Sequence, residues 1–250
     1  MFENLWLILL GFIAGILGSI IGLGGGIITM PVLTFIGVPH TIAANSSLFA
    51  AFSNAVASTI SYTKQRRIEF KIGLRLGLLS IPGTVLGALL SAQVTPPVFK
   101  ILFGLVLIGS CYYIIIKRNI MPKSTNATAQ MTILSAAISF SAGLLSSFFG
   151  IGGGIVFVPL MIVGLGMVVK HATATSQLIL LFSSFSGMIA HSLLGHADYE
   201  YALLLSAGAF AGGLLGAKIS VDIRESGIRI LVCAAIMIAA VKLFYDAFST

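Results

Sequence analysis

Long apolar runs separated by short polar connections dominate this chain. They lie near residues 5–21, 43–62, 76–92, 98–116, 132–149, 172–194, 201–219 and 228–248. Most approach or exceed the roughly 20 helical residues that cross a hydrocarbon core about 30 Å thick. Membrane strands would be shorter and would alternate polar with apolar positions, so the pattern predicts helices and no barrel. Two shorter runs, 27–38 and 155–168, each follow a cluster of glycines directly. Their length suits half-helices, or spans that borrow the loosened glycine segment.

Those two breaks are copies of one another. Residues 14–31 read AGILGSIIGLGGGIITMP and residues 142–159 read AGLLSSFFGIGGGIVFVP. The likeness continues at nearly the same offset: Asn45, Ser46 and Ser47 match Thr175, Ser176 and Gln177, and GTVLGA at 83–88 matches GGLLGA at 212–217. The chain therefore divides into an N-terminal unit over 1–118, a polar linker over 119–130 that contains Pro122, and a C-terminal unit over 131–250. Each unit is expected to hold about four to five helices, one of them broken at its glycines.

Composition narrows the solvent. With 58% hydrophobic and 8% charged residues and a mean hydropathy of +1.09, the chain has too little polar surface to wet a water-soluble globule. The fold class is all-α integral membrane, with the lipid bilayer as partner. The N-terminus, MFENLW, has no basic cluster ahead of the first run and reads as a retained helix rather than a secretory signal. Cys111 and Cys233 fall in apolar helices at non-equivalent positions and read as small core residues.

Charge placement adds orientation. Lys64, Arg66, Arg67, Lys71 and Arg75 crowd one connection, and Lys117, Arg118 and Lys123 lie at the central linker. Short basic loops stay cytoplasmic. In the second unit the equivalent of the first basic loop is His196, Ala197, Asp198, Tyr199, Glu200, without Lys or Arg, whereas the next connection holds Lys218, Arg224 and Arg229. Equivalent segments thus alternate with opposite charge bias, so the units are expected to be inverted repeats. A multi-pass cell-membrane protein follows, with both termini outside and the linker in the cytoplasm. Lys100 and Lys242 sit just inside outer helix ends, where their stems can snorkel to the interface. The net charge of +7 is then a topology signal, with no nucleic-acid role implied.

Glycine is a poor helix former, about 1 kcal/mol worse than alanine per residue, and consecutive glycines invite the backbone to open. At membrane depth an opened backbone must be buried in protein or line a polar cavity. Gly24, Gly25 and Gly26 precede a short helix expected to close at Pro31, and Gly152, Gly153 and Gly154 precede one that meets Pro159. Free amides and the positive dipole end at such helix starts make an anion site without a formal charge. Inverted repeats would bring the two starts together near the midplane. The competing reading is that the glycines only allow close helix packing. Neither segment carries the Lys-Ser/Thr of a phosphate-binding P-loop or the strand and acidic residue of a dinucleotide site.

The triplets Asn45, Ser46, Ser47 and Thr175, Ser176, Gln177 offer amides and hydroxyls that can donate to an oxyanion, or can cap the helices that follow the short ones. Ser53, Asn54, Ser183 and Ser184 continue the polar stripe. All acidic residues are terminal or in connections, which leaves His40, His171 and His191 as candidates for proton coupling, with His196 in an outer loop. No cluster has metal-ligand spacing or a catalytic constellation, so neither cofactor, metal nor enzymatic activity is expected.

The paired GxGGG segments with their following prolines, the NSS and TSQ triplets, the basic loop around Ile68, Glu69 and Phe70, and PPVFKILFGLVLI at 96–108 together resemble the sulfite exporter TauE/SafE family over almost the full length. The resemblance implies a secondary transporter, commonly an exporter, of a small anion such as sulfite or an organosulfonate, working by alternating access. An anion channel using the same site, or a transporter of another small anion, is the nearest alternative, and a non-transporting membrane subunit a more distant one. No residue pattern fixes the number of copies in the assembly.

Overall fold

The computed structural model describes residues 4–116 and 129–222 together with Met237, Ala240 and Val241. The linker assigned to 119–130 lies outside the described residues apart from Ala129 and Gln130. So do nearly all of the 228–248 run, Cys233, and the charged residues Glu3, Lys117, Arg118, Lys123, Arg224, Glu225, Arg229, Lys242 and Asp246.

The described residues are helical, with no strand among them. The first unit comprises α1 (Trp6–Ile21), α2 (Gly26–Phe35), α3 (His40–Lys64), α4 (Phe70–Ser91) and α5 (Pro96–Ile116). The second comprises α6 (Ala129–Phe149), α7 (Gly154–Pro159) continuing as a π-helical turn (Leu160–Gly164), α8 (Val169–Leu193) and α9 (Tyr199–Ile219). These bounds follow the apolar runs closely. One expectation fails: α2 runs past Pro31 to Phe35. Proline removes one backbone donor, which α2 tolerates at Pro31, whereas at Pro159 the backbone widens into the π turn.

Burial is reversed relative to a protein in water. Leu9, Leu78, Leu105 and Leu203 are each more than half exposed, whereas Ser19, Asn45, Asn54, Ser176 and Gln177 are fully buried. Surface of that kind is stable only against hydrocarbon. Helices α4, α8 and α9 are long and apolar enough to cross a bilayer, and the chain is a multi-pass membrane protein. Although α3 has 25 residues, it is too polar along its buried face for lipid and lies inside, among α1, α2, α8 and α9.

The two units interlock. Helix α1 packs along α9, and its counterpart α6 packs along α4. The repeated small-residue motifs make both contacts. A methyl group at Gly212 or Gly216 would strike the carbonyls of Phe12 or Ile16 on α1. Placed at Gly83 or Gly87, it would strike those of Phe140 or Leu144 on α6. With so little hydrophobic drive between helices in lipid, such close backbone approach supplies much of the attraction. Gly208 likewise abuts the Ile8 carbonyl. Gly208→Ala is therefore expected to part α1 from α9 and lower stability by about 1–3 kcal/mol, read as a reduced thermal midpoint in detergent. An unchanged midpoint would show that this seam is slack.

Candidate functional site

Both helices break where the glycines predict. After α1 the chain turns at Gly22 (φ 79°) and Gly24 (φ 77°), and after α6 at Gly150 (φ 67°), Gly152 (φ 82°) and Gly153 (φ 80°). These left-handed angles are cheap only for glycine, so the breaks are true openings of the backbone and more than packing devices. The first turn closes on one oxygen: the amides of Gly22, Leu23 and Gly24 all donate to the Gly18 carbonyl, at 3.0, 3.1 and 3.2 Å. The second is closed by the Ile151 amide donating to the Ser146 carbonyl at 3.1 Å.

The breaks touch each other. A Cβ built on Gly26 would lie 2.8 Å from the Gly150 oxygen, and one on Gly154 would lie 2.5 Å from the Gly22 oxygen. Gly24 and Gly152 both face Ala51 and Leu180. Leu23 and Ile27 from one break share a buried core with Phe149 and Ile151 from the other. The starts of α2 and α7, whose first amides have no partner within their helices, thus meet inside the molecule.

The triplets surround this junction, but not as caps. Helix α3 begins at His40 and α8 at Val169, neither with a side-chain cap, so Asn45 and Thr175 lie more than a turn inside. Ser47 Oγ lies 2.7 Å from Thr29 Oγ1 and donates to the Gly26 carbonyl at 3.3 Å. Ser176 Oγ donates to the Gly22 carbonyl at 2.6 Å, Gln177 Nε2 to the Gly18 carbonyl at 2.9 Å, and Ser183 Oγ to the Gly152 carbonyl at 3.2 Å. These donors therefore hold the carbonyls of the opened segments. Ser46 Oγ, Gln177 Oε1, Asn45 Oδ1 and Ser184 Oγ are buried without a partner. Such atoms are costly to leave unpaired.

Asn45 and Thr175, the first members of the triplets, have matching roles at the two ends. Asn45 Nδ2 donates to the His196 carbonyl and to Ser192 Oγ, both at 3.3 Å, which ties the start of α3 to the loop after α8. Thr175 Oγ1 accepts from the Glu69 amide at 3.0 Å, which ties the start of α8 to the loop after α3. The equivalent helices α3 and α8 consequently run antiparallel. Arg67 reinforces the second tie, donating to Gln65 Oε1 and Ser220 Oγ at 2.9 Å and to the Lys170 carbonyl at 3.2 Å, with its guanidinium 4.8 Å from the Tyr62 ring centre.

The histidines separate. His40 contacts the Ser91 carbonyl at 3.2 Å with its ring tilted against Phe99, and His171 is half-buried, 3.8 Å from Glu69. Only His191 is fully buried; its Nε2 donates to the Ser147 carbonyl at 2.9 Å. Tyr62 makes the matching bond in the first unit, its hydroxyl donating to the Ser19 carbonyl at 2.8 Å. Sequence reading overlooked Tyr62 and Ser19. The repeat offset could have flagged them, since it sets Tyr62 beside His191 and Ser19 on Ser147.

A family model described as sulfite exporter TauE/SafE matches residues 7–243. The "Probable membrane transporter protein YunE" of Bacillus subtilis is 32% identical, over 96% of this chain and 97% of its own length. The "Probable membrane transporter protein MJ0441" of Methanocaldococcus jannaschii is 31% identical over 90% and 89%, and "Probable membrane transporter protein YfcA" of Escherichia coli is 22% identical over 96% and 89%. No solved structure matches the chain.

Proposed function

The chain belongs to the sulfite exporter TauE/SafE family, and from that premise we propose that it exports a small sulfur-containing anion, such as sulfite or an organosulfonate, by alternating access. The coarser assignment, a membrane transporter, follows from the family and its relatives. The observation that carries the finer reading is the mutual contact of the two glycine breaks. It gathers two helix starts, with their positive dipole ends, at one buried place where no cation is needed to hold an anion. Gly24, Gly25 and Gly26 with Asn45, Ser46 and Ser47 form one side of the site, and Gly152, Gly153 and Gly154 with Thr175, Ser176 and Gln177 form the other.

The two units act as inverted repeats, 1–118 and 131–250, whose antiparallel α3 and α8 support that arrangement. Arg67, Lys170 and Lys218 from both units gather near one face, which we assign to the cytoplasm. Asn4 Nδ2 donates to Glu200 at 3.0 Å near the other face, so the N-terminus lies outside. In this arrangement the ties at Asn45 and Thr175 are the outer and inner closures of the pathway.

Purified protein in sealed liposomes tests the reading. Sulfite or an organosulfonate is expected to accumulate uphill when a proton or sodium gradient is imposed. Flux that only dissipates the anion's own gradient would indicate a channel instead, and flux of other anions but no sulfur anion would overturn the substrate class.

A further inference from the structure

We infer that His191 and His196 share one hydrogen and so form a proton-binding latch that holds loop 194–198 over the start of α3. Their Nδ1 atoms face each other at 3.2 Å. His191 Nε2 lies 2.9 Å from the Ser147 carbonyl, which can only accept, so Nε2 carries a hydrogen. Neutral imidazole has a single N–H. His191 Nδ1 is therefore bare and accepts from the Nδ1–H of His196.

This assignment makes His191 the switch. A second proton on His191 would set two N–H groups against each other and add a buried charge, and the contact would break. A proton on His196 enters at Nε2 and leaves its Nδ1–H in place. Burial, and after it the nearby His40, lowers the pKa of His196, which favours its neutral form beside His191. The loop's other ties would then depend on the closed pair: the His196 amide donates to the His191 carbonyl at 3.0 Å, and Asn45 Nδ2 donates to the His196 carbonyl.

Of the neighbouring groups, His40 acts on the pair through its charge. Among the described residues, His40 on α3, Lys100 on α5, and Asp198, Tyr199, Glu200 and Tyr201 at the start of α9 are the other titratable groups at this end; α4 over 76–91 and α6 over 131–149 carry none. Asp198 accepts from the Glu200 and Tyr201 amides, and Glu200 from Asn4. The opposite tie, an amide donating to the Thr175 hydroxyl, has no proton to gain. The inference rests on the transport reading for its consequence: a proton arriving at the outer face would open that face.

Amide hydrogen exchange in nanodiscs, without substrate or gradient, tests the latch. Leu194, Gly195 and His196 donate their amides to the carbonyls of Ala190, Ser192 and His191. After correction for intrinsic rates, their exchange should accelerate by up to about tenfold per pH unit on acidification from about pH 7.5 to about pH 5. His191→Gln keeps a donor for Ser147 but lacks the facing nitrogen, so its exchange should be fast at every pH. His196→Asn keeps a non-titrating donor near the Nδ1 position and should retain the response. Constant protection in the wild type, or a response surviving in His191→Gln, would overturn the latch even if anion flux is normal. A response without any flux would uphold the latch and sink the transport reading.

Discussion

Gly154→Ala is expected to reduce anion flux in proteoliposomes at least a hundredfold. The added methyl would lie 2.5 Å from both the Gly22 oxygen and the Leu23 Cα, backbone that belongs to the opposite break. Backbone cannot rotate aside as a flexible side chain can, so the two segments must separate. Overpacking of this kind costs about 1–3 kcal/mol, and the thermal midpoint should fall as well. Gly26→Ala makes the mirrored collision with Gly150 and Ile151 and should act likewise. Gly25→Ala is the contrast. Its φ is −67° and its nearest neighbour would be 3.4 Å away, at Ala14, so the thermal midpoint should stay unchanged. Wild-type flux in Gly154→Ala would show that transport does not need the breaks in contact.

Gln177→Leu should separate the site from the scaffold. Gln177 is fully buried; its Nε2 holds the Gly18 carbonyl, and its Oε1 has no partner. Because the Nε2 partner is a carbonyl, the amide cannot be turned over to satisfy the free oxygen. Gly18 would keep its three backbone donors in the variant, so the stability loss should stay near 1 kcal/mol. The apparent kcat/KM for the anion should nevertheless drop by about ten- to a hundredfold, equivalent to about 1.4–2.8 kcal/mol. Unaltered kinetics would make Gln177 a packing residue.

The helices were legible because lipid imposes a length and an apolarity on every span. The breaks were legible because GLGGG and GIGGG contain glycines at the positions that take left-handed angles. Contacts between units were less so. That Ser176 would hold the Gly22 carbonyl depends on a meeting across 154 residues, which no local pattern encodes. The same holds for Asn45, whose place suited an anion donor or a cap equally, and capping fell away only because α3 starts at His40. The His191–His196 pair lay five residues apart in plain view, but a helix followed by a loop gives no fixed spacing from which to foresee that the rings meet.

The pairing of α1 with α9 and of α6 with α4 also dictates an order of events during synthesis. The first helix to leave the ribosome finds its partner only after nearly two hundred further residues have been made. Until then its glycine-lined stripe must be tolerated by lipid, or sheltered by the insertion machinery, while later spans arrive. Neither half can complete its own packing, so maturation of the first half is tied to translation of the second.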